Sequence, residues 1–141
     1  MRVMVIVKAT EASERSEMPG SDLLEAMGAY NEELVKAGVL LDGDGLRPSS
    51  YGVRVRFDAD GGTTVLDGPF TETKELVSGY WIFEVSSTEE AVEWAKKAPF
   101  RDGELEIRPF SVPEDFGEAF TPELQERENE LRDTLAQQRG A

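Results

Sequence analysis

With neither cysteine nor histidine among its 141 residues, this chain must do any chemistry of its own with carboxylates, Lys, Arg, Tyr, Ser or Thr. That excludes a thiol nucleophile, a disulfide framework, zinc held by thiolate or imidazole, a Ser-His-Asp triad and every histidine acid–base step. The densest cluster of usable groups is Asp67-Gly68-Pro69-Phe70 followed by Thr71-Glu72-Thr73-Lys74-Glu75. Asp-Gly-Pro is a turn signal: glycine opens φ angles closed to other residues, proline fixes the next one, and Phe70 can anchor the loop. One reading gives Asp67 the structural task of closing the turn through backbone N–H groups. The other makes Asp67 and Glu72 candidate general acid–base groups, with Lys74 holding an anionic substrate group. Without histidine, such a carboxylate needs a pKa raised by burial in a cleft.

Arg54, Arg56 and Arg108 are further ligand-binding candidates, because the guanidinium fork suits carboxylates and phosphates. Pairing with Glu84, Glu104 and Glu106 across a sheet is the competing reading. Tyr80 is a candidate for lining a cavity, while Trp81 is expected on the opposite face, in the core. The segments Asp42-Gly43-Asp44-Gly45 and Asp58-Ala59-Asp60-Gly61 resemble calcium loops. Leu40 and Arg56 fall where the first acidic ligand belongs, so both are read as turns. No metal and no cofactor is expected, and no phosphate-binding glycine loop is present.

Net charge is −14, spread over both body and tail, since residues 114–141 carry 8 acids against 3 bases. Nucleic acid and anionic membranes are therefore not expected as direct partners. No apolar run nears the ~18 residues of a membrane span. The apolar start, Met1 to Lys8, is too short for a signal peptide and reads as a strand, so the protein is expected in the cytoplasm.

Residues 2–8 are apolar on both faces and predict a central strand. A loop covers 9–20. A helix follows, with Ser21 or Asp22 as N-cap, a buried stripe of Leu23, Leu24, Met27, Tyr30, Leu34 and Val35, and Gly38 at its end. A short strand spans 39–42, ahead of a glycine-rich turn. Residues 51–57 and 63–66 read as a β-hairpin, with Val53, Val55 and Phe57 on one face and Arg54 and Arg56 on the other. Strand 79–85 leads to a helix over 88–98, opened by a capping box of Ser87 and Glu90. The last strand covers 104–109. After a linker-like stretch, Thr121-Pro122 starts a third helix whose thin stripe of Leu124, Leu131 and Leu135 needs something to dock on.

This order predicts an α+β fold, a ferredoxin-like sandwich with both helices on one sheet face and an appended C-terminal helix. The other face would mix apolar groups with Arg54, Arg56, Glu84, Glu104, Glu106 and Arg108. It is too apolar to lie open and too charged for a plain core. A homodimer with its sheets back to back around a polar cavity resolves both features.

The nine-residue motif Asp67 to Glu75 resembles the signature of the DGPF proteins, a branch of the YCII-related family. The resemblance extends to the opening Met1–Val7 strand, to Ala37-Gly38-Val39-Leu40 leading to Gly45-Leu46, to Gly79-Tyr80-Trp81, to Glu89-Glu90-Ala91 with Glu93-Trp94-Ala95, and to Glu106-Ile107-Arg108-Pro109. It implies a dimeric α+β barrel over residues 1–112, with residues 113–141 as linker and helix of the same unit. A His–Asp pair is suspected of catalysis in YCII-like members; this chain lacks the histidine, and Asp67 would match the acidic half. DGPF-type domains also occur fused to sigma-factor regions. Two functions therefore stand side by side: a homodimer binding a small polar or anionic ligand, with carboxylate acid–base chemistry open to it, and a non-catalytic interaction or regulatory accessory linked to transcription.

Overall fold

The computed structural model describes residues 1–72 and 75–140. Two compact units divide the chain, Met1–Phe110 and Ser111–Ala141. The first contains β1 (Arg2–Lys8), α1 (Glu11–Glu14), α2 (Ser21–Lys36), β2 (Leu40–Gly45), β3 (Val53–Phe57), β4 (Thr63–Asp67), β5 (Val77–Glu84), α3 (Thr88–Ala95) and β6 (Leu105–Pro109). A four-stranded antiparallel sheet runs β2-β5-β1-β6, and β3 and β4 form a separate two-stranded ribbon. Strand order and the two longer helices make this the expected ferredoxin-like α+β arrangement, with the ribbon inserted between its second and third core strands.

The core lies between the sheet and α2 and α3. Val3 and Val5 of β1 and Trp81 and Phe83 of β5 alternate onto one face, where they meet Tyr30, Leu34 and Ala91. The expected α2 stripe is narrower than the sequence pattern suggests. Tyr30 and Leu34 are buried and Met27 packs at the margin, but Leu24 and Val35 are exposed. Tyr30 donates to the Trp94 carbonyl at 2.8 Å, which ties α2 to α3. Burial, assisted by the Glu33 carboxylate, pushes the Tyr30 phenol from 10.0 up to about 12. Between pH 10 and about 12 the unfolded chain therefore gives up this proton before the folded one does. Stability should fall with rising pH across that window, by about 2–3 kcal/mol. Urea titrations at both ends should show the drop in the wild type and its loss in Tyr30→Phe.

Several boundaries differ from the sequence expectation for local reasons. The 9–20 loop contains α1, because Thr10 and Ser13 satisfy each other's backbone N–H groups at 3.1 and 2.9 Å. Gly20, ahead of Ser21, takes the N-cap position of α2. The glycine-rich 42–45 segment is strand, because it pairs with Gly79–Ile82. Helix α3 stops at Ala95, and a tighter turn carries the chain to Ala98. Ser87 does accept from the Glu90 N–H at 3.1 Å. The Glu90 carboxylate, however, reaches Ser86, at 2.6 Å to its N–H and 2.7 Å to its hydroxyl. Those bonds hold Glu90 below the usual carboxylate range.

The largest difference concerns the hairpin. Its strands pair as expected but do not join the main sheet, so Arg54 and Arg56 are absent from that sheet's open face. Glu104 precedes β6. The open face is built from Met4 opposite Ile82 and Ile6 opposite Tyr80, all half-buried. Asp42 and Asp44 border this block on β2, and Glu106 and Arg108 border it on β6. Register also shows what the ribbon presents. Val53 faces Asp67, Val55 faces Val65 and Phe57 faces Thr63. On that outward face Val53, Val55, Phe57 and Val65 are 62, 54, 82 and 64 % exposed.

The second unit contains a 3-10 segment, Pro113–Ala119, and α4 (Pro122–Gly140). Phe116 and Phe120 meet edge to face at 5.7 Å. Thr121 caps α4 by accepting from the Leu124 N–H at 3.3 Å, as its Thr-Pro opening predicts. No residue of α4 is buried.

Candidate functional site

The Asp67–Phe70 turn is joined to two distant segments. Its Gly68 N–H donates to the Gly52 carbonyl at 2.9 Å. The Phe70 N–H donates to Ser49 Oγ at 2.9 Å. Ser49 in turn gives both its donors to one side chain: its N–H reaches Glu14 Oε1 at 3.0 Å and its hydroxyl reaches Glu14 Oε2. The Arg54 guanidinium lies 3.8 Å above the Phe70 ring, a cation–π contact. Gly68–Pro69 is a cis peptide. The turn is therefore held by Glu14, Ser49 and Gly52. Sequence reading missed this trio, since the contacts span 35 and 21 residues and no local pattern announces them. Replacing Glu14 with Ala should leave both Ser49 donors unpaired and cost about 2 kcal/mol, read as a shift in the urea midpoint.

Among the described residues the Asp67 side chain takes no part in closing the turn. It is exposed at the end of β4, and among the described residues it accepts no hydrogen bond. Glu72 is exposed as well, and its carbonyl accepts from the Glu75 N–H at 2.9 Å. Lys74 lies outside the described residues. Arg56 stands exposed on β3, opposite Thr64. Arg108 pairs with Glu106 at 3.3 Å, the neighbouring ion pair of Lys8 and Glu106 being 3.7 Å long. Tyr80 donates to Asp42 Oδ2 at 3.3 Å. The structure thus leaves the proposed residues in three places: Asp67, Glu72, Arg54 and Arg56 on and beside the ribbon, Arg108 on β6, and Tyr80 on β5.

Concave surface is found elsewhere, between α2 and the sheet. An open groove of about 430 Å³ is lined by Leu23, Met27, Asn31, Trp81 and Phe100 together with Gly43, Asp44, Gly45, Gly79 and Tyr80. A second hollow of about 570 Å³ adjoins it, sharing Leu23, Ser78 and Phe100 and adding Lys8, Thr10, Lys96 and Arg101. Gly43 and Gly45 pair with Trp81 and Gly79 across β2 and β5, which puts all three glycines on the helix side of the sheet. Their missing side chains make the floor. A Cβ on Gly43 would come within 2.8 Å of Trp81 Cδ1, whereas one on Gly45 meets nothing nearer than 4.0 Å. Trp81 is fixed by donating Nε1–H to Asn31 Oδ1 at 2.9 Å. Among the described residues no cluster of three or more carboxylates is placed to hold a metal ion, and no helix is long and apolar enough to cross a membrane.

These features define a ferredoxin-like α+β domain with an inserted ribbon and a groove under its first long helix. The chain matches the YCII-related domain over residues 1–111, and it belongs to that family. It is similar to an uncharacterized protein of Rhizobium meliloti (strain 1021), with 32% identity over 93 residues, 64% of this chain and 74% of that protein. It is also similar to the solved structure of a 5-chloro-2-hydroxyhydroquinone dehydrochlorinase from Burkholderia phenoliruptrix AC1100 in complex with 2,5-dihydroxybenzoquinone. That likeness has 17% identity and a TM-score of 0.41, covering 79% of this chain and 94% of the other.

Proposed function

We propose that this YCII-related protein belongs to the DGPF branch and binds a small molecule carrying polar groups, as a cytoplasmic homodimer. The groove under α2 carries the ligand reading: an apolar wall of Leu23, Met27, Trp81 and Phe100, a floor without side chains, and two polar residues, Asn31 and Ser78, at its margin. Small-molecule sites have this composition and this size. The adjoining hollow adds Lys96 and Arg101, beside the carboxylates of Glu17, Asp102 and Glu104, as charged groups for a polar substituent. The dimer reading rests on the open sheet face, where Met4, Ile6, Tyr80 and Ile82 form an apolar block inside a charged rim. Apart from the groove stands a second candidate set, Asp67 and Glu72 as the acid–base pair with Lys74, Arg54, Arg56, Arg108 and Tyr80 as ligand-binding groups. Its support is that, among the described residues, the Asp67 carboxylate accepts no hydrogen bond that would hold its own turn.

A metabolite screen by thermal shift tests the ligand reading, since a bound ligand raises the melting temperature with its excess over the dissociation constant. Gly45→Val, whose Cβ would meet nothing nearer than 4.0 Å, should fill the groove and abolish the shift of any hit. A hit that stabilises Gly45→Val as strongly as the wild type would place the ligand elsewhere, and Asp67→Ala then tests the ribbon. For the dimer, sedimentation at micromolar concentration should give twice the 15.6 kDa monomer mass. A second reading, a non-catalytic accessory associated with sigma factors, is favoured by α4. Its apolar Leu124, Leu131 and Leu135 are all exposed, and residues 113–141 are then the docking part.

A further inference from the structure

We infer that the groove under α2 selects an uncharged ligand built on a planar ring, with a hydrogen-bond acceptor turned to the amide nitrogen of Asn31. The inference deepens the ligand reading of the groove and rests on it. A polar handle makes the first part of the case. Trp81 Nε1–H donates to Asn31 Oδ1 at 2.9 Å. An indole nitrogen can only donate, so it takes the amide oxygen and leaves the amide nitrogen with its two N–H donors. Among the described residues no acceptor meets that nitrogen. Asn31 is half-buried and lines the groove. A ligand that covers these donors without replacing their hydration loses affinity, whereas one with a carbonyl-type oxygen satisfies them.

Shape and charge make the second part. The Trp81 ring fills the space over Gly43, where a Cβ would come within 2.8 Å of Cδ1. The open floor is therefore Gly45 and Gly79, paired across β2 and β5. Paired strands lie about 5 Å apart, a width that one six-membered ring covers. Trp81 and Phe100 line the same groove, with their rings 6.2 Å apart and tilted by 56°. Aromatic surface beside a flat backbone floor favours a planar ring over a puckered one. Among the described residues the only charged side chain along the groove belongs to Asp44. It stands opposite Tyr80 in register, hence on the other sheet face, and its Oδ1 accepts from the Gly45 N–H at 2.9 Å. In the adjoining hollow Lys8 and Lys96 are paired with Glu106 and Glu93 at 3.7 and 3.1 Å. A charged ligand would thus meet no counter-charge in the groove, and burying it there is costly.

Acetophenone is the probe, and the indole N–H of Trp81 is the reporter. The chain has two tryptophans, so a proton–nitrogen correlation spectrum shows two indole signals, and Trp81→Phe identifies the one that belongs to Trp81. Acetophenone should shift that signal saturably, and Gly45→Val should abolish the shift. Ethylbenzene, the same ring without the oxygen, should bind about fivefold more weakly. Cyclohexyl methyl ketone, the same acceptor on a puckered ring, should also bind more weakly. Benzoate and benzylammonium should lose about tenfold or more. Asn31→Asp keeps an oxygen for the Trp81 indole but removes the donors. It should retain the wild-type circular dichroism and erase the preference for acetophenone over ethylbenzene. The inference is overturned by no saturable shift with acetophenone, by a charged probe that binds as tightly, by equal binding of acetophenone and ethylbenzene to the wild type, or by a preference that survives in folded Asn31→Asp. The wild-type comparison decides the case even if that variant does not fold. A screening hit that Gly45→Val abolishes, but that is charged or lacks a planar ring, overturns this inference alone. A hit untouched by Gly45→Val overturns the groove reading itself.

Discussion

Replacing Gly68 with alanine should cost about 3–5 kcal/mol, enough to unfold a domain of ordinary stability. A Cβ at this position would be driven into the carbonyl oxygen of Ser49, well inside van der Waals contact, and would lie 2.8 Å from the Ser49 carbonyl carbon and 3.2 Å from the Gly52 oxygen. All three are backbone atoms and cannot rotate aside. Relief means separating the turn from the 49–52 segment. That breaks the Gly68–Gly52 and Phe70–Ser49 hydrogen bonds together and disturbs the Glu14 carboxylate that Ser49 engages. Urea denaturation of Gly68→Ala should show a midpoint far below that of the wild type. Asp67→Ala, one residue away, should move it by less than about 0.5 kcal/mol, as expected for an exposed carboxylate that accepts no hydrogen bond among the described residues. Equal effects at the two positions would contradict this account. The contrast also divides the motif physically: Gly68 and Phe70 belong to the fold, while the Asp67 side chain makes no contact among the described residues that holds it.

That division was only half legible in the sequence. Turn chemistry announced the Asp67–Phe70 bend, because Gly and Pro act locally. What the bend is fastened to, Ser49 and Glu14, depends on contacts between remote residues of ordinary type. Alternation identified the ribbon strands and grouped Val53, Val55 and Phe57 correctly. It could not show that these strands pair only with each other, since period-two patterning fixes which residues share a face but not what covers that face. The same limit misassigned Arg54 and Arg56 to the main sheet. The groove was hidden for a different reason. Its floor is the absence of side chains at Gly43, Gly45 and Gly79, and a glycine-rich stretch reads as a turn unless a partner strand is known. Trp81 and Tyr80 were placed on opposite faces from their adjacency alone, and they lie there.

Trp81 is where stability and the proposed function meet, and Trp81→Ala should show both at once. Its ring contacts Tyr30 edge to face at 5.5 Å and packs within 6.4 Å of Phe83 and 6.2 Å of Phe100. Removing a buried indole of this kind costs about 3–5 kcal/mol, and Asn31 Oδ1 loses the donor that now reaches it at 2.9 Å. Trp81→Phe keeps most of the apolar contact and should cost less, about 2 kcal/mol, with the lost hydrogen bond as a main part. The groove is affected as well. Trp81 is its wall and stands directly over Gly43, whose Cβ would touch Cδ1. Trimming the ring to phenyl widens the site while leaving its floor intact. Any ligand found by thermal shift should therefore bind Trp81→Phe more weakly by a larger factor than the modest stability loss conveys. The dissociation constant measured by calorimetry, at a temperature where the variant remains folded, separates the two effects. Unchanged affinity in a folded Trp81→Phe protein would remove the groove from consideration and leave the ribbon, with Asp67 at its base, as the place to look.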